Sequence, residues 1–362
     1  MNADEIQRIL NEEIEQREAG QSGEPAPRPE GDISHLPASD FAMTPMWGEF
    51  PEYVDNTILS TFRSCEVKAF RQYMQHLRKS QTSIHLLAGG AYAAGLEAAR
   101  NAFYRDGKSE ADARVEGVRE LIRHWGHEDL YLDQNKSFPR MVEALEYSLD
   151  TWRLGVDTIV PYEVEGRNGV EFSFAVELPV DHPKTGLPIL YTGRIDLLGV
   201  LDGALFVEDD KTTSALGPTW GAKWDLRSQF TGYTWALRQY GYPVAGTLVR
   251  GLAILKTRFD HAQAVVYAPD WKVQKWLDTT VQTLERMKSA WLHGHYMHDF
   301  ADACEAFGGC PYKQLCNSPV EHRTIPYDFI QRRWDPLADV SKDKLKIARS
   351  NAEESTNASV RD

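Results

Sequence analysis

The stretch YTGRIDLLGVLDGALFVEDDKTT, residues 191–213, constrains this chain more than any other. It reads as two β-strands, Tyr191–Leu201 and Ala204–Lys211, joined by Asp202-Gly203. Asp-Gly between apolar runs marks a two-residue type I′ turn, because both central positions need φ > 0. Such a turn fixes the register. Leu201 then faces Ala204, Val200 faces Leu205 and, counting outward, Asp196 faces Asp209. Side chains alternate with period two, so Lys211 shares a face with Asp209, while Glu208 and Asp210 point the other way. Two carboxylates facing each other repel. A divalent cation between them removes the repulsion, and hard oxygen donors suit Mg²⁺ or Mn²⁺. Charged strand ends are also common for purely structural reasons, so the surroundings decide.

Upstream, VEFSFAVEL (170–178) alternates Phe172, Phe174, Val176 and Leu178 on one face and adds a third antiparallel strand. Downstream, 224–241 reads as an amphipathic helix, 246–256 and 262–267 as strands, and 269–293 as a long helix. Before the strands, 59–79 reads as a helix opening at Ser60, and Gly90–Tyr104 as a second. Segment 138–160 is a third, with a buried stripe of Val142, Leu145, Leu149, Trp152 and Val156. Helix, three strands, helix, strand describes an α/β sandwich on a mixed sheet.

Residues 1–19 have the spacing of a short amphipathic helix through Ile6, Ile9 and Ile14, and 20–46 are rich in Pro, Gly and acidic residues. The expected organisation is an acidic, disordered tail and linker over 1–50, one domain over 51–335, and a flexible C-terminal tail over 336–362. Of the net charge of −13, residues 1–50 carry −8, from 11 acidic and 3 basic side chains, so −5 remains beyond Phe50. An acidic extension of this kind is compatible with a basic groove elsewhere. No stretch approaches the roughly 18 consecutive apolar residues of a membrane span. MNADEIQRIL lacks the basic start and apolar core of a signal peptide. A cytoplasmic location without membrane association is expected.

The four cysteines are unevenly placed. Cys65 stands alone, and Cys304, Cys310 and Cys316 lie together in CEAFGGCPYKQLC. Disulfides are a poor explanation inside a cell. Four thiolates suit an iron–sulfur cluster or Zn²⁺. Five residues separate each pair in the trio, unlike the C-x₂-C pairs of zinc sites, so the cluster leads. Zinc and four unrelated buried thiols remain as alternatives. Joining Cys65 to the trio would clasp the two ends of the domain.

Together these features resemble the RecB-like branch of the PD-(D/E)XK nuclease superfamily. The likeness is to its iron–sulfur members, among them CRISPR-associated exonucleases and the nuclease domains of helicase–nucleases. LSTFRSCEVKAF looks like the opening helix with its lone Cys, GRIDL (193–197) like G-x-x-D, and VEDDKT (207–212) like D-x-K-T. QFTGY (229–233) is similar to Q-x-x-x-Y, and C-x₅-C-P-x₄-C to the closing trio. The resemblance implies a restriction-endonuclease-like αβββαβ core with a mixed sheet, an added N-terminal helical region and a C-terminal iron–sulfur clasp.

It also implies that Asp196 and Asp209 hold Mg²⁺ or Mn²⁺, with the carbonyl of Asp210 completing the shell. Lys211 would orient or activate the attacking water. Gln229 and Tyr233, neighbours on one helix face, would contact DNA or brace the site. Cys65, Cys304, Cys310 and Cys316 would hold a 4Fe-4S cluster. One motif departs from the pattern. The family's G-x-x-x-H-x-x-L-E reads GGAYAAGLE here (89–97), with Ala93 at the His position, which makes Glu97 a candidate replacement ligand. The implied function is a metal-dependent DNA nuclease, an exonuclease on single strands or DNA ends in recombination, repair or phage DNA metabolism. A helicase or recombination protein would be its partner. The rival is a catalytically degenerate nuclease-fold protein that binds DNA or acts as a scaffold. Ala93 speaks for the rival, and Asp196, Asp209 and Lys211 against it.

Overall fold

Five long strands carry the molecule: β1 (Val170–Asp181), β2 (Pro188–Leu201), β3 (Ala204–Thr213), β4 (Val244–Ile254) and β5 (Phe259–Tyr267). The computed structural model describes residues 3–20, 48–80, 83–126, 136–164, 167–300, 302–319, 325–337 and 347–349. The strands lie side by side in the order β5-β4-β3-β2-β1. Only β3 and β4 are parallel among them, because the chain leaves the end of β3 and crosses over through a helix. The short pieces Tyr53–Val54 and Ile159–Pro161 pair with β2, and Ile347–Ala348 with β1, giving a mixed eight-stranded sheet.

A strand buried on both faces needs cover on both sides. β4, buried at nearly every position, receives it. The described helices of three or more turns, together with the shorter α2, are α1 (Ala3–Gly20), α2 (Asn56–Ser64), α3 (Ile84–Arg100), α4 (Glu110–Trp125), α5 (Phe138–Thr151), α6 (Ser228–Gln239) and α7 (Asp270–His293). On one side α2, α6 and α7 enclose the larger core, with Phe62, Phe174, Tyr191, Leu198, Val207, Trp235 and Leu284. On the other, α3, α4 and α5 build a second core from Ala91, Leu96, Val118, Leu121 and Leu145, closed by Leu252 and Ile254 of β4. Gly95 and Gly117 allow α3 and α4 to touch. A Cβ built on Gly95 falls 2.9 Å from the Gly117 carbonyl oxygen.

The hairpin forms as expected. Asp202 and Gly203 have φ of 49° and 81°, as a type I′ turn requires, and the ladder pairs Leu201 with Ala204 and Val200 with Leu205. Other boundaries moved. The first helix of the domain is capped by Asp55, not Ser60, with the Asp55 carboxylate accepting the Ile58 N–H at 2.7 Å. It stops at Ser64, and the segment expected to continue to residue 79 becomes a short helix, a wide π turn and the strand Leu77–Lys79, paired with Phe329–Gln331. The helix expected over 138–160 ends at Thr151, and Val156 is exposed. The spacing gave no warning of α4.

The termini also differ from expectation. The helix expected near the N-terminus is present, but it is packed. Ile9 and Glu13 are buried against α4, where Arg119 and Arg123 pair with Glu13. Of the linker expected over 20–46, residues 21–46 lie outside the described residues. Within the expected C-terminal tail, Leu337 is buried and Ile347–Ala348 joins the sheet. No described helix is long and apolar enough to cross a membrane.

Candidate active site

The β2–β3 ladder runs from the turn as far as Leu197 and Glu208. One step further it is replaced. The carboxylate Oδ2 of Asp196 accepts the main-chain N–H of Asp210 at 2.8 Å, taking the place of a rung. From there β3 stays paired only with β4, Asp209 opposite Val249 and Lys211 opposite Gly251. The cause is a change of face in β2. Ile195 and Leu198 both pack into the larger core, whereas Leu197 joins a small cluster with Val170 and Phe206. A regular strand would put Ile195 and Leu197 on the same face. The break falls opposite Glu171, whose φ of 51° lies in the left-handed region. Local irregularities of this kind re-aim a side chain at the end of a pairing.

Asp196, Asp209 and Lys211 are thereby brought together. Asp209 is almost fully buried and ion-paired with the Lys211 ammonium. Burial pushes Asp196 up to about 7, and the charges of Asp209 and Asp210 add to it. Burial also raises Asp209, against the opposing pull of Lys211. For Lys211 burial disfavours the ammonium, but Asp209 and Asp196 together outweigh it and its pKa rises. Lys211 is therefore charged. Gln229, on α6, donates from Nε2 to Asp209 Oδ1 at 3.3 Å and to the Tyr233 hydroxyl at 2.9 Å. Tyr233 donates in turn to the Arg194 carbonyl at 3.2 Å. Of the two expected roles, these contacts are bracing ones.

The opposite face of β3 carries charges for which the sequence suggested no partners. Arg100, the last residue of α3, pairs with Glu208 and, at 2.9 Å, with Asp210 Oδ2. Arg250, on β4, reaches the other Glu208 oxygen at 3.1 Å and Asp157 at 2.7 Å. The Asp210 side chain thus faces Arg100, leaving its main-chain N–H to Asp196. Arg250 had a readable signal, a lone charge inside the apolar run GTLVRGLAILK. Glu171 had none. It pairs with Arg194 at 2.7 Å, and burial together with Asp196 raises it to about 9.

Glu97 is half-buried on α3 and lines a cleft of about 360 Å³ with Ala94, Asn101 and Arg105. Its charge helps to raise Glu171, the neighbour of Asp196. Two cations flank β3. The exposed Arg227, at the N-cap of α6, acts on both Asp209 and Lys211, and Lys136 donates to the Thr212 hydroxyl at 3.0 Å.

The sequence profile of the PD-(D/E)XK nuclease superfamily matches residues 56–317, a span that holds every element of this site. The chain belongs to that superfamily. Membership implies a nuclease that hydrolyses phosphodiester bonds. No curated protein matches the chain in sequence. Among solved structures, a candidate exonuclease of Eubacterium rectale aligns at 12% identity and a TM-score of 0.43, covering 80% of this chain and 94% of its own. SSO0001 aligns at 10% identity and 0.30, covering 77% and 85%. Likeness at these scores adds nothing to the assignment, which rests on the superfamily profile.

Among the described residues, no three His, Cys, Asp or Glu side chains converge closely enough to hold a metal ion as they stand. The donor chemistry nonetheless fits one in this PD-(D/E)XK site. Asp196 and Asp209 are hard oxygen donors held at the same buried spot, where like charge is costly without a cation. None of the four cysteines is in a disulfide, and all are half-buried. Burial raises the Cys310 thiol, and Cys65 and Cys304 are near enough to raise it further. Protein contacts already hold these segments together. Glu66, beside Cys65, accepts two hydrogen bonds from Arg286 at 2.8 and 2.7 Å and the Met297 N–H at 2.9 Å, fastening the chain that leads to Cys304. Tyr312 donates to the Leu77 carbonyl at 2.5 Å.

Proposed function

We propose that this superfamily member is a metal-dependent DNA nuclease, an exonuclease acting on single strands or DNA ends. The observation that carries the reading is the grouping of two buried carboxylates, Asp196 and Asp209, with the ammonium of Lys211 where the hairpin strands part. Asp196, Asp209 and the main chain of Asp210 would hold Mg²⁺ or Mn²⁺, with Glu97 as a further candidate ligand. A bound divalent cation supplies positive charge that polarises the phosphoryl group. Lys211, with its raised pKa, acts as a donor, not a base. It orients the attacking water and stabilises charge on the phosphoryl oxygens. Gln229 and Tyr233 hold Asp209 in place, and Arg227 and Lys136 meet backbone phosphates on either side.

Cys65, Cys304, Cys310 and Cys316 are assigned to a 4Fe-4S cluster, supported by the thiol neighbourhood around Cys310. Its role is structural, closing the long loop between the ends of the domain. The biological setting that fits such an enzyme is recombination, repair or phage DNA metabolism beside a helicase or recombination protein. The test is incubation of purified protein with end-labelled single- and double-stranded DNA, with Mn²⁺, Mg²⁺ or EDTA. Metal-dependent loss of label from ends is expected. A second reading, a degenerate nuclease-fold protein that binds DNA without cutting it, is favoured by Ala93. Tight DNA binding with no cleavage under any metal would establish it in place of the first.

A further inference from the structure

We propose that Arg100 is a positioning residue that sets the metal affinity of the site by fastening the helical layer to the catalytic strand. This deepens the nuclease reading and rests on it. The candidate ligands come from two separately packed bodies. Glu97 belongs to α3, whose Ala91, Leu96 and Ala99 pack into the core of α4 and α5. Asp196 and Asp209 belong to the hairpin, whose Leu198, Leu205 and Val207 pack into the core under α6 and α7. Arg100 bridges the two. It lies one helical turn beyond Glu97, its side chain is 8% exposed, and its guanidinium grips Glu208 and Asp210, the two neighbours of Asp209 in sequence. The handle on Asp210 matters because the N–H of the same residue binds Asp196. One planar cation therefore fixes α3, the Asp210 peptide and, through it, the Asp196 carboxylate.

A purely structural ion pair would look similar, and Arg250 provides the contrast. It grips Glu208 and Asp157 with a fully buried side chain, but it stands on β4, inside the same sheet as β3. Asp157 and the Trp152 ring, 4.9 Å away, lie just past the end of α5, so Arg250 ties that end of the helical layer to Glu208 and makes no hydrogen bond to α3 or to Asp210. The two arginines share a buried carboxylate and differ in what they connect.

The experiment is Mn²⁺ titration by electron paramagnetic resonance on the full chain without DNA, with unfolding temperature read in parallel. Partners of hydrogen-bonded ligands typically change metal affinity about 10- to 100-fold when removed. Arg100→Met and Arg100→Lys are expected to weaken Mn²⁺ binding by at least about tenfold, since a single ammonium cannot grip both carboxylates. Arg250→Met is expected to lower the unfolding temperature and leave Mn²⁺ affinity near the parent's. Asp210→Asn, which keeps the shape of the side chain and removes its charge from the buried pair with Arg100, is expected to weaken Mn²⁺ binding as Arg100→Met does. Parent-like affinity in Asp210→Asn and Arg100→Lys would overturn the inference, as would an equal loss in Arg250→Met. A parent protein that binds no Mn²⁺ would overturn the metal-nuclease reading itself.

Discussion

The side chain of Asp196 accepts the main-chain N–H of Asp210 at 2.8 Å, so one candidate ligand is built into the strand that carries the other, Asp209. Pairing of β2 with β3 ends there, with Leu197 and Glu208 the last rung. The same bond aims the Asp210 side chain at Arg100 on the far face. Both faces of β3 are thus occupied by charge, Asp209 and Lys211 on one and Glu208 and Asp210 with their arginines on the other.

The first expected outcome concerns pH. In the metal-free protein, burial and neighbouring carboxylates raise Asp196 to about 7 and Glu171 to about 9, from ordinary values near 4. The folded chain holds protons that the unfolded chain has released. Stability from this source is greatest below the ordinary carboxylate range and is lost as pH climbs to the folded-state values. The unfolding temperature in EDTA should fall between pH 6 and 8. Mn²⁺, which replaces those protons, should restore more stability at pH 8 than at pH 6. A rise in the EDTA series over that interval would contradict this reading of the carboxylates.

Gln229 supplies the second. Gln229→Ala removes the amide that joins Asp209 to Tyr233. Cleavage should slow by about 10- to 100-fold with a higher Mn²⁺ requirement, and DNA affinity should hold. Weaker DNA binding with an unchanged metal requirement would make Gln229 a DNA contact instead.

Much of this was legible in the chain. Asp202-Gly203 fixed the hairpin register, and the alternation placed Glu208 and Asp210 opposite Asp209 and Lys211. The bond from Asp196 to Asp210 was not legible, because period-two alternation assumes an unbroken strand and β2 changes face between Ile195 and Leu198. Arg100 was hidden for a different reason. Its partners lie 108 and 110 residues away, and nothing local distinguishes it from any arginine at a helix end. The N-terminal helix falls within the expected disordered extension, yet Ile9 is buried, and so is Glu13, because Arg119 and Arg123 meet it.

Glu97 tests the departure from the family pattern. If it replaces the missing imidazole ligand, Glu97→Ala should be nearly as damaging as Asp196→Ala. Ala93→His should then restore part of the loss, chiefly with Mn²⁺, which accepts nitrogen donors more readily than Mg²⁺. An unchanged metal requirement in Glu97→Ala would leave Glu97 as a helix residue beside the site.

The cysteines give a prediction that needs no substrate. Protein purified without oxygen should be brown and contain iron and inorganic sulfide. Cys310→Ala should lower its stability, because Cys310 also packs against Leu77, Tyr312 and Phe329. Stoichiometric zinc without sulfide would replace the cluster and keep the clasp.

The most direct measurement compares cleavage of end-labelled DNA by the parent, Asp196→Ala, Asp209→Ala and Lys211→Ala at saturating Mn²⁺, with folding checked by circular dichroism. The parent should cut, and each variant should lose cleavage by at least about a thousandfold with its fold intact, as expected for groups that act only on the reacting phosphate. Parent-like cleavage by either carboxylate variant would contradict the account, because the chemistry would then lie away from the hairpin.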